Sequence, residues 1–280
     1  MKDVLGDRMK SFYEDRTRIS LQRRTYTIIR IDGKAFHTYT KGLKRPFDVG
    51  LIADMDATAA YLCKNIMGAK LAYVQSDEIS VLLTDFDDLG TQAWFDNNLQ
   101  KMASIAASMA TSEFNRLRLK RDLSILEDVG QFKMAMFDAR VFQIPTLTEV
   151  MNYFIWRQQD ATRNSISSVG QSLYSHKELN GVSGDQKQEM IFQKGINWND
   201  YSYREKRGGV ITKVTYVNGV QSKLYEIDAE GTSYWNNSMT DGLTTKLPDG
   251  AVVRNKWEGV ETPIFTQDKV FLKNIIPQNL

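Results

Sequence analysis

One cysteine and two histidines are all that 280 residues hold of the side chains most used as soft metal ligands or activated nucleophiles. Cys63 has no second cysteine for an intrachain disulfide, and a cysteine-based zinc site or a catalytic cysteine–histidine pair has little to be built from. No window approaches the roughly 20 consecutive apolar residues that cross a bilayer, which excludes an integral membrane helix protein. An excess of charge of one sign is also missing. With 36 basic and 34 acidic side chains the net charge is +2, so a polyanionic partner has to be held by local basic patches. The segment from Met1 to Asp15 is highly charged and lacks the apolar core of a signal peptide, which points to a cytoplasmic protein. Repeats, low-complexity tracts and long linkers are absent.

What is present is an ordinary globular composition, 42% hydrophobic and 25% charged, in a chain long enough to bury a sizeable core. Tyr26 to Asp32 is β-rich and runs into Gly33, which reads as a buried strand stopped by a tight turn. From Val49 to Met67 the apolar positions recur at helical spacing, with Gly68 placed to end the helix. Two short β-type runs, Leu71 to Gln75 and Ile79 to Thr84, flank a polar connection of Ser76, Asp77 and Glu78. Trp94 to Lys120 has the pattern of a long amphipathic helix, and a fourth strand follows near Ala135 to Phe142. Thr146 to Ser175 predicts further helix, with a break near Gly181 to Gly184. Beyond Gly208 two strand-like runs flank Asn218 and Gly219, the favoured pair for a two-residue hairpin.

The order β-α-β-β-α-β is that of ferredoxin-like and polymerase-palm folds, with strands one and three side by side. The expected class is therefore α/β (α+β): a ferredoxin-like palm core with added helices over residues 1–207, and a small β-rich C-terminal accessory region over residues 208–280. That adjacency brings Asp32 close to Asp77. Two carboxylates at neighbouring strand ends repel each other unless a cation neutralises them, and Mg²⁺ takes one or two carboxylates together with phosphate oxygens and water. The pair points to two-metal phosphoryl transfer, with the Gly33 carbonyl as a further oxygen ligand. Taken singly, each acid also fits ordinary turn chemistry. Arg30, a charge inside a β-branched strand, is expected to face a site or pair with an acid.

The blocks RIDGKAFH from Arg30, Pro46 and Asp48 after Lys44 and Arg45, VQSDEIS from Val74, WF at Trp94, FDARV from Phe137 and WRQQD from Trp156 carry a resemblance. In this order and spacing the chain, from about Asp3 to Arg207, resembles the tRNA-His guanylyltransferase family, including its bacterial, archaeal and phage-like guanylyltransferase-like members. The resemblance implies a nucleotidyltransferase of the 3′-to-5′ polymerase type, which activates a tRNA 5′-phosphate with ATP or GTP and joins a nucleoside triphosphate to that end. It implies two Mg²⁺ ions on Asp32, the Gly33 carbonyl and Asp77, with Asp32, Asp77 and Glu78 as the catalytic acids. Arg30, Lys34, His37, Arg45, Ser76, Lys101, Asn164 and Lys187 match nucleotide-binding positions, and a homotetramer is implied as well.

The chain departs from the eukaryotic pattern where a His-Ile-Asn-Asn motif is replaced by Thr162, Arg163, Asn164 and Ser165. Only Asn164 is kept, which shifts the expected activity from guanylate addition on tRNA-His towards template-directed repair of tRNA 5′ ends. The other histidine, His176, reads as an exposed helix-end residue. For RNA contact, Arg16 to Arg24, Arg116 to Arg121 and Lys194 to Arg207 gather basic residues, the last with Trp198, Tyr201 and Tyr203 between them. The second cluster equally suits a helix C-terminus that favours cations. Two rival readings stand beside this one: a palm-type nucleotidyl cyclase or conventional polymerase, and a non-catalytic RNA-binding protein.

Overall fold

The computed structural model describes residues 3–121, 133–226, 233–237, 245–246 and 250–278. A helical arm comes first: α1 (Val4–Met9), continued by a π-turn over Lys10–Glu14 and a 3₁₀ turn over Asp15–Thr17, with no residue buried. Then follow β1 (Tyr26–Gly33), the short α2 (Phe36–Tyr39), α3 (Val49–Asn65), β2 (Ala69–Gln75) and β3 (Glu78–Leu83). The core continues with α4 (Leu99–Arg121), β4 (Phe137–Ile144) and the long α5 (Leu147–Leu173). Three shorter helices, α6 (His176–Leu179), α7 (Gly184–Gln193) and α8 (Tyr203–Arg207), lead into β5 (Gly209–Val217). Last come β6 (Val220–Glu226), β7 (Ser233–Asn237), β8 (Thr245–Lys246), β9 (Val253–Val260) and α9 (Lys269–Ile275).

The helices start where their sequence tells them to. Asp48 caps α3 by accepting from Leu51 N at 2.7 Å, and Thr146 caps α5 by accepting from Glu149 N at 3.3 Å. Reciprocal Ser–Glu or Ser–Gln capping boxes open α6, α7 and α8. One boundary moves. The helix expected from Trp94 begins at Leu99, because Phe95 and Asp96 take left-handed φ of 51° and 52° and Asn98 then caps the helix through Lys101 N.

All strands belong to one antiparallel sheet of order β4-β1-β3-β2-β5-β6-β7-β8, with β9 on the free edge of β5. The central β4-β1-β3-β2 order is the palm arrangement, and strands one and three are neighbours as their spacing predicts. Asn218 (φ 50°) and Gly219 (φ 85°) form the two-residue turn between β5 and β6. The C-terminal strands continue the core sheet, since β5 pairs with β2 from Val74↔Gly209 to Leu71↔Thr212.

Period-2 alternation divides the core into two layers. Ile29 and Ile31 of β1, with Val74, Ile79 and Val81, pack under Met55, Leu62, Met102 and Phe114 of α3 and α4. Tyr26 and Ile28 point the other way, meeting Leu71, Tyr73 and Leu82 beneath Val150, Phe154 and Leu272 of α5 and α9. Arg30 and Asp32 continue this second row. The face under α5 therefore begins dry and apolar at Tyr26 and ends polar at Asp32, and that gradient positions the site.

Candidate active site

Asp32 is the penultimate residue of β1, opposite Glu78 of β3 and Asp138 of β4, so three carboxylates stand on one face at one level. Ser76 and Asp77 make the two-residue turn between β2 and β3, and Ser76 is held at φ 47°, a left-handed value costly for a side-chain-bearing residue. Gly33 N donates to the Asp77 carbonyl at 3.2 Å, which ties the end of β1 to this turn. At Gly33 an added Cβ would fall 2.2 Å from the Phe36 ring, so the glycine is required by that close approach. Phe36 in turn packs on Tyr39, Phe114 and Phe137.

Asp32 and Asp77 line one open cleft of about 420 Å³, with Gln75, Ser76 and Glu78 from the sheet. Its opposite wall is α5, which contributes Arg157, Asp160, Asn164, Ser167, Ser168 and Gln171. Their steps of three and four residues are those of one helical face. Burial pushes the Asp77 carboxyl up to about 6; hydrogen bonds from its own backbone and Ser76 pull against this, while the charges of Asp32 and Glu78 add to it. Among the described residues no group of three or more His, Cys, Asp or Glu side chains is placed to hold a metal ion. Two carboxylates open to a cleft are the donor set that suits Mg²⁺, which keeps water and phosphate oxygens in its shell.

Glu78 lies in the floor of the cleft and is held there. Its carboxylate accepts from Arg157 Nε at 2.8 Å and Nη2 at 2.7 Å, and Ser80 Oγ and Gln75 Nε2 each stand 3.4 Å away. Arg30 Nε is 3.6 Å from the same carboxylate, an ion pair without a hydrogen bond, so the half-buried Arg30 faces an acid. Arg157 also donates to Asp160 at 3.0 Å, which turns that acid towards the cleft.

The other expected nucleotide-binding residues divide by position. Ser76 and Asn164 line both the acid cleft and an adjoining apolar cavity of about 140 Å³ walled by Pro46, Phe47, Leu51, Ile52 and Ala161. Lys187, from α7, donates to Ser167 Oγ at 3.2 Å and so reaches the far end of the cleft. Lys34, His37 and Arg45 are exposed on the segment after β1, with His37 Nε2 3.0 Å from Thr38 Oγ1. Lys101 is not brought to the site. It opens α4 next to the Ile19–Leu99 contact, at the end of the sheet where β1 begins, while Asp32 is at the other end.

Several of the basic residues expected to meet RNA are engaged within the chain. Arg118 and Arg121 clamp the buried Asp54 of α3, Arg116 binds Glu113, and Arg204 grips Asp56 through Nε and Nη2. Lys194 and Lys206 lie over the rings of Tyr174 and Trp198. Arg157, Asp160, Ser167, Ser168 and Gln171 line the cleft from α5 without a role given to them by the sequence.

A palm-ordered antiparallel sheet with helices on both faces, carrying one aspartate at the end of β1 and another in the adjoining β2–β3 turn, is the arrangement of palm enzymes that act on nucleoside triphosphates. The family profile described as Thg1, tRNAHis guanylyltransferase, matches residues 6–145. This chain belongs to that family. It is 41% identical to a bacterial Thg1-like protein solved in complex with ATP, covering 97% of this chain and 99% of the other at a TM-score of 0.75. A bacterial Thg1-like structure in complex with GTP is 40% identical, covering 98% and 99% of the two chains at a TM-score of 0.72. The tRNA(His) guanylyltransferase of Debaryomyces hansenii is 29% identical over 205 residues, 68% of this chain and 74% of its own. Family membership removes the reading as a non-catalytic RNA-binding protein. No helix among the described residues is long and apolar enough to cross a membrane.

Proposed function

We propose that this enzyme activates the 5′-phosphate of a tRNA with ATP or GTP and then adds nucleotides to that end under the direction of the opposing strand, as a 3′-to-5′ repair polymerase. The observation that carries the reading is the cleft itself, in which Asp32 and Asp77 face the polar α5 wall, whose Ser167 accepts from Lys187 of α7. In the first step an oxygen of the RNA 5′-phosphate attacks the α-phosphorus of the triphosphate and pyrophosphate leaves. In the second, the 3′-hydroxyl of an incoming triphosphate attacks the activated 5′-phosphorus and the nucleoside monophosphate leaves.

Asp32, Asp77 and the Gly33 carbonyl would hold two Mg²⁺ ions, which supply charge neutralisation at the reacting phosphates and at the leaving group. The chain's own donors do the rest. Ser76, Asn164 and Lys187 bind the polyphosphate along the α5 wall, and Arg30 adds positive charge beneath it. The apolar cavity beside Ser76 takes the nucleobase. Glu78 keeps Arg157 and Asp160 in place from below.

Thr162, which stands at the lost histidine, spends its hydroxyl hydrogen on the Gln158 carbonyl of its own helix at 3.0 Å, so the donor of the missing imidazole is not replaced. That supports templated addition over strict guanylate addition to tRNA-His. We assign a homotetramer in the cytoplasm, and a fully active monomer would reject that assembly. The test is a 5′-labelled truncated tRNA incubated with triphosphates. The label should move to longer products whose added base changes with the opposing nucleotide. Extension at the 3′ end, or formation of a cyclic nucleotide, would refute the proposal.

A further inference from the structure

Trp156 is an aromatic ring left in the open beside a buried charge network. It is 46% exposed, whereas Trp94 is buried, and its neighbour Arg157 is fixed to Glu78 in the floor of the cleft. Tyr153, one turn earlier on α5, is anchored to the sheet through Ser80 at 2.7 Å and meets both Phe142 of β4 and the Trp156 ring, at 5.7 and 5.9 Å between centroids. The indole therefore stands above the β4 side of the sheet, one turn nearer the acids. The Arg157 guanidinium lies 4.4 Å from its ring centroid and stiffens it from one side.

Two further cations lie on the same side of the sheet. Arg140 is opposite Arg30 in the register, two residues from Phe142 towards the acid end and on the same face. It is exposed on the outermost strand and has no ion pair among the described residues. Arg163, two helical turns beyond Trp156, is also exposed and donates to Asp160 at 3.1 Å. A flat apolar ring flanked by exposed guanidiniums matches the end of an RNA duplex, whose last base pair offers one bare π-face bordered by phosphates.

We infer that Trp156 is the platform on which the terminal base pair of the RNA substrate stacks, with Arg140 and Arg163 holding the flanking phosphates, so that the 5′ end is delivered to Asp32 and Asp77. This rests on the function proposed above and adds the contact that places the RNA. The rigidity of the ring suits the task, because a mobile stack would let the 5′-phosphate wander across the cleft.

The experiment uses a 5′-phosphorylated RNA hairpin with a closed terminal pair, ATP, and the Trp156→Ala and Trp156→Phe variants of the full chain. Trp156→Ala should raise the KM for the hairpin about tenfold or more, the effect of losing one base–aromatic stack. The KM for ATP should stay within twofold, and Trp156→Phe should restore most of the RNA affinity. In the wild-type protein the hairpin should protect tryptophan fluorescence from acrylamide quenching, a readout that needs no variant. An unchanged RNA KM in Trp156→Ala, an equal rise in the ATP KM, or an equal loss for a single-stranded RNA of the same 5′ sequence would each overturn the platform. Absence of ATP-dependent transfer to the RNA 5′-phosphate by the wild-type protein would instead count against the function itself.

Discussion

Arg157 grips Glu78 through two hydrogen bonds of 2.8 and 2.7 Å, and both side chains are buried. Taking one partner away leaves the other charge stranded in the floor of the cleft, with only Arg30 at 3.6 Å to answer it. Arg157→Met should therefore cost about 3–5 kcal/mol in urea unfolding. The double variant Glu78→Met with Arg157→Met should recover part of that loss, because the stranded carboxylate is gone while Arg30 is left without its acid.

Asp77 makes the enzyme pH-sensitive in a definite direction. Its folded carboxyl titrates near 6, raised from 3.8, so the metal-free folded state binds a proton more tightly than the unfolded chain does. This group's contribution to stability is greatest below about pH 4 and falls as pH rises to about 6. Asp77→Asn should accordingly stabilise the metal-free protein at pH 7.5, by at most about 3 kcal/mol. Mg²⁺ needs the ionised acid, so a Mg²⁺-induced rise in Tm should be present at pH 8 and absent at pH 5 in the wild type. A rise that persists at pH 5 would separate Asp77 from the metal.

Gly33 is fixed by the ring of Phe36, which occupies the space where a side chain would begin. Gly33→Ala should displace the ring from its contacts with Phe114 and Phe137 and destabilise the fold by about 1–3 kcal/mol. Thermal unfolding checks this. Activity should fall as well, since the same residue joins β1 to the Asp77 turn.

How much of this could be read beforehand depends on distance along the chain. The strand ending in Asp32 and the neighbouring of strands one and three follow from the sequence pattern, and the structure has them; the connection expected over Ser76, Asp77 and Glu78 is a turn of Ser76 and Asp77 only, with Glu78 opening β3. Glu78 reads as one more acid at the turn, because its partner Arg157 is 79 residues away and belongs to another layer. The α5 wall was also hidden. Arg157, Asp160, Ser167 and Gln171 look like a solvated helix face until the polar end of the sheet is placed opposite them. Lys101 shows the converse error, since a basic residue near an amphipathic helix start carries no sign of which end of the sheet that start will meet.

Lys187 and Lys101 consequently make a matched pair for kinetics. Lys187→Ala should raise the KM for triphosphate about tenfold or more, the effect of losing a charged hydrogen-bond donor. Lys101→Ala, at the opposite end of the sheet, should leave it within twofold. Steady-state rates over a range of ATP concentrations decide between them.

The most direct measurement follows the α-phosphate of labelled ATP onto a 5′-phosphorylated RNA, with wild-type protein and with Asp77→Asn. The wild type should transfer the label in the presence of Mg²⁺. Asp77→Asn should transfer none above background while binding the RNA within twofold of wild type. Transfer at the wild-type rate by Asp77→Asn would contradict the assignment of Asp32 and Asp77 as the reactive centre.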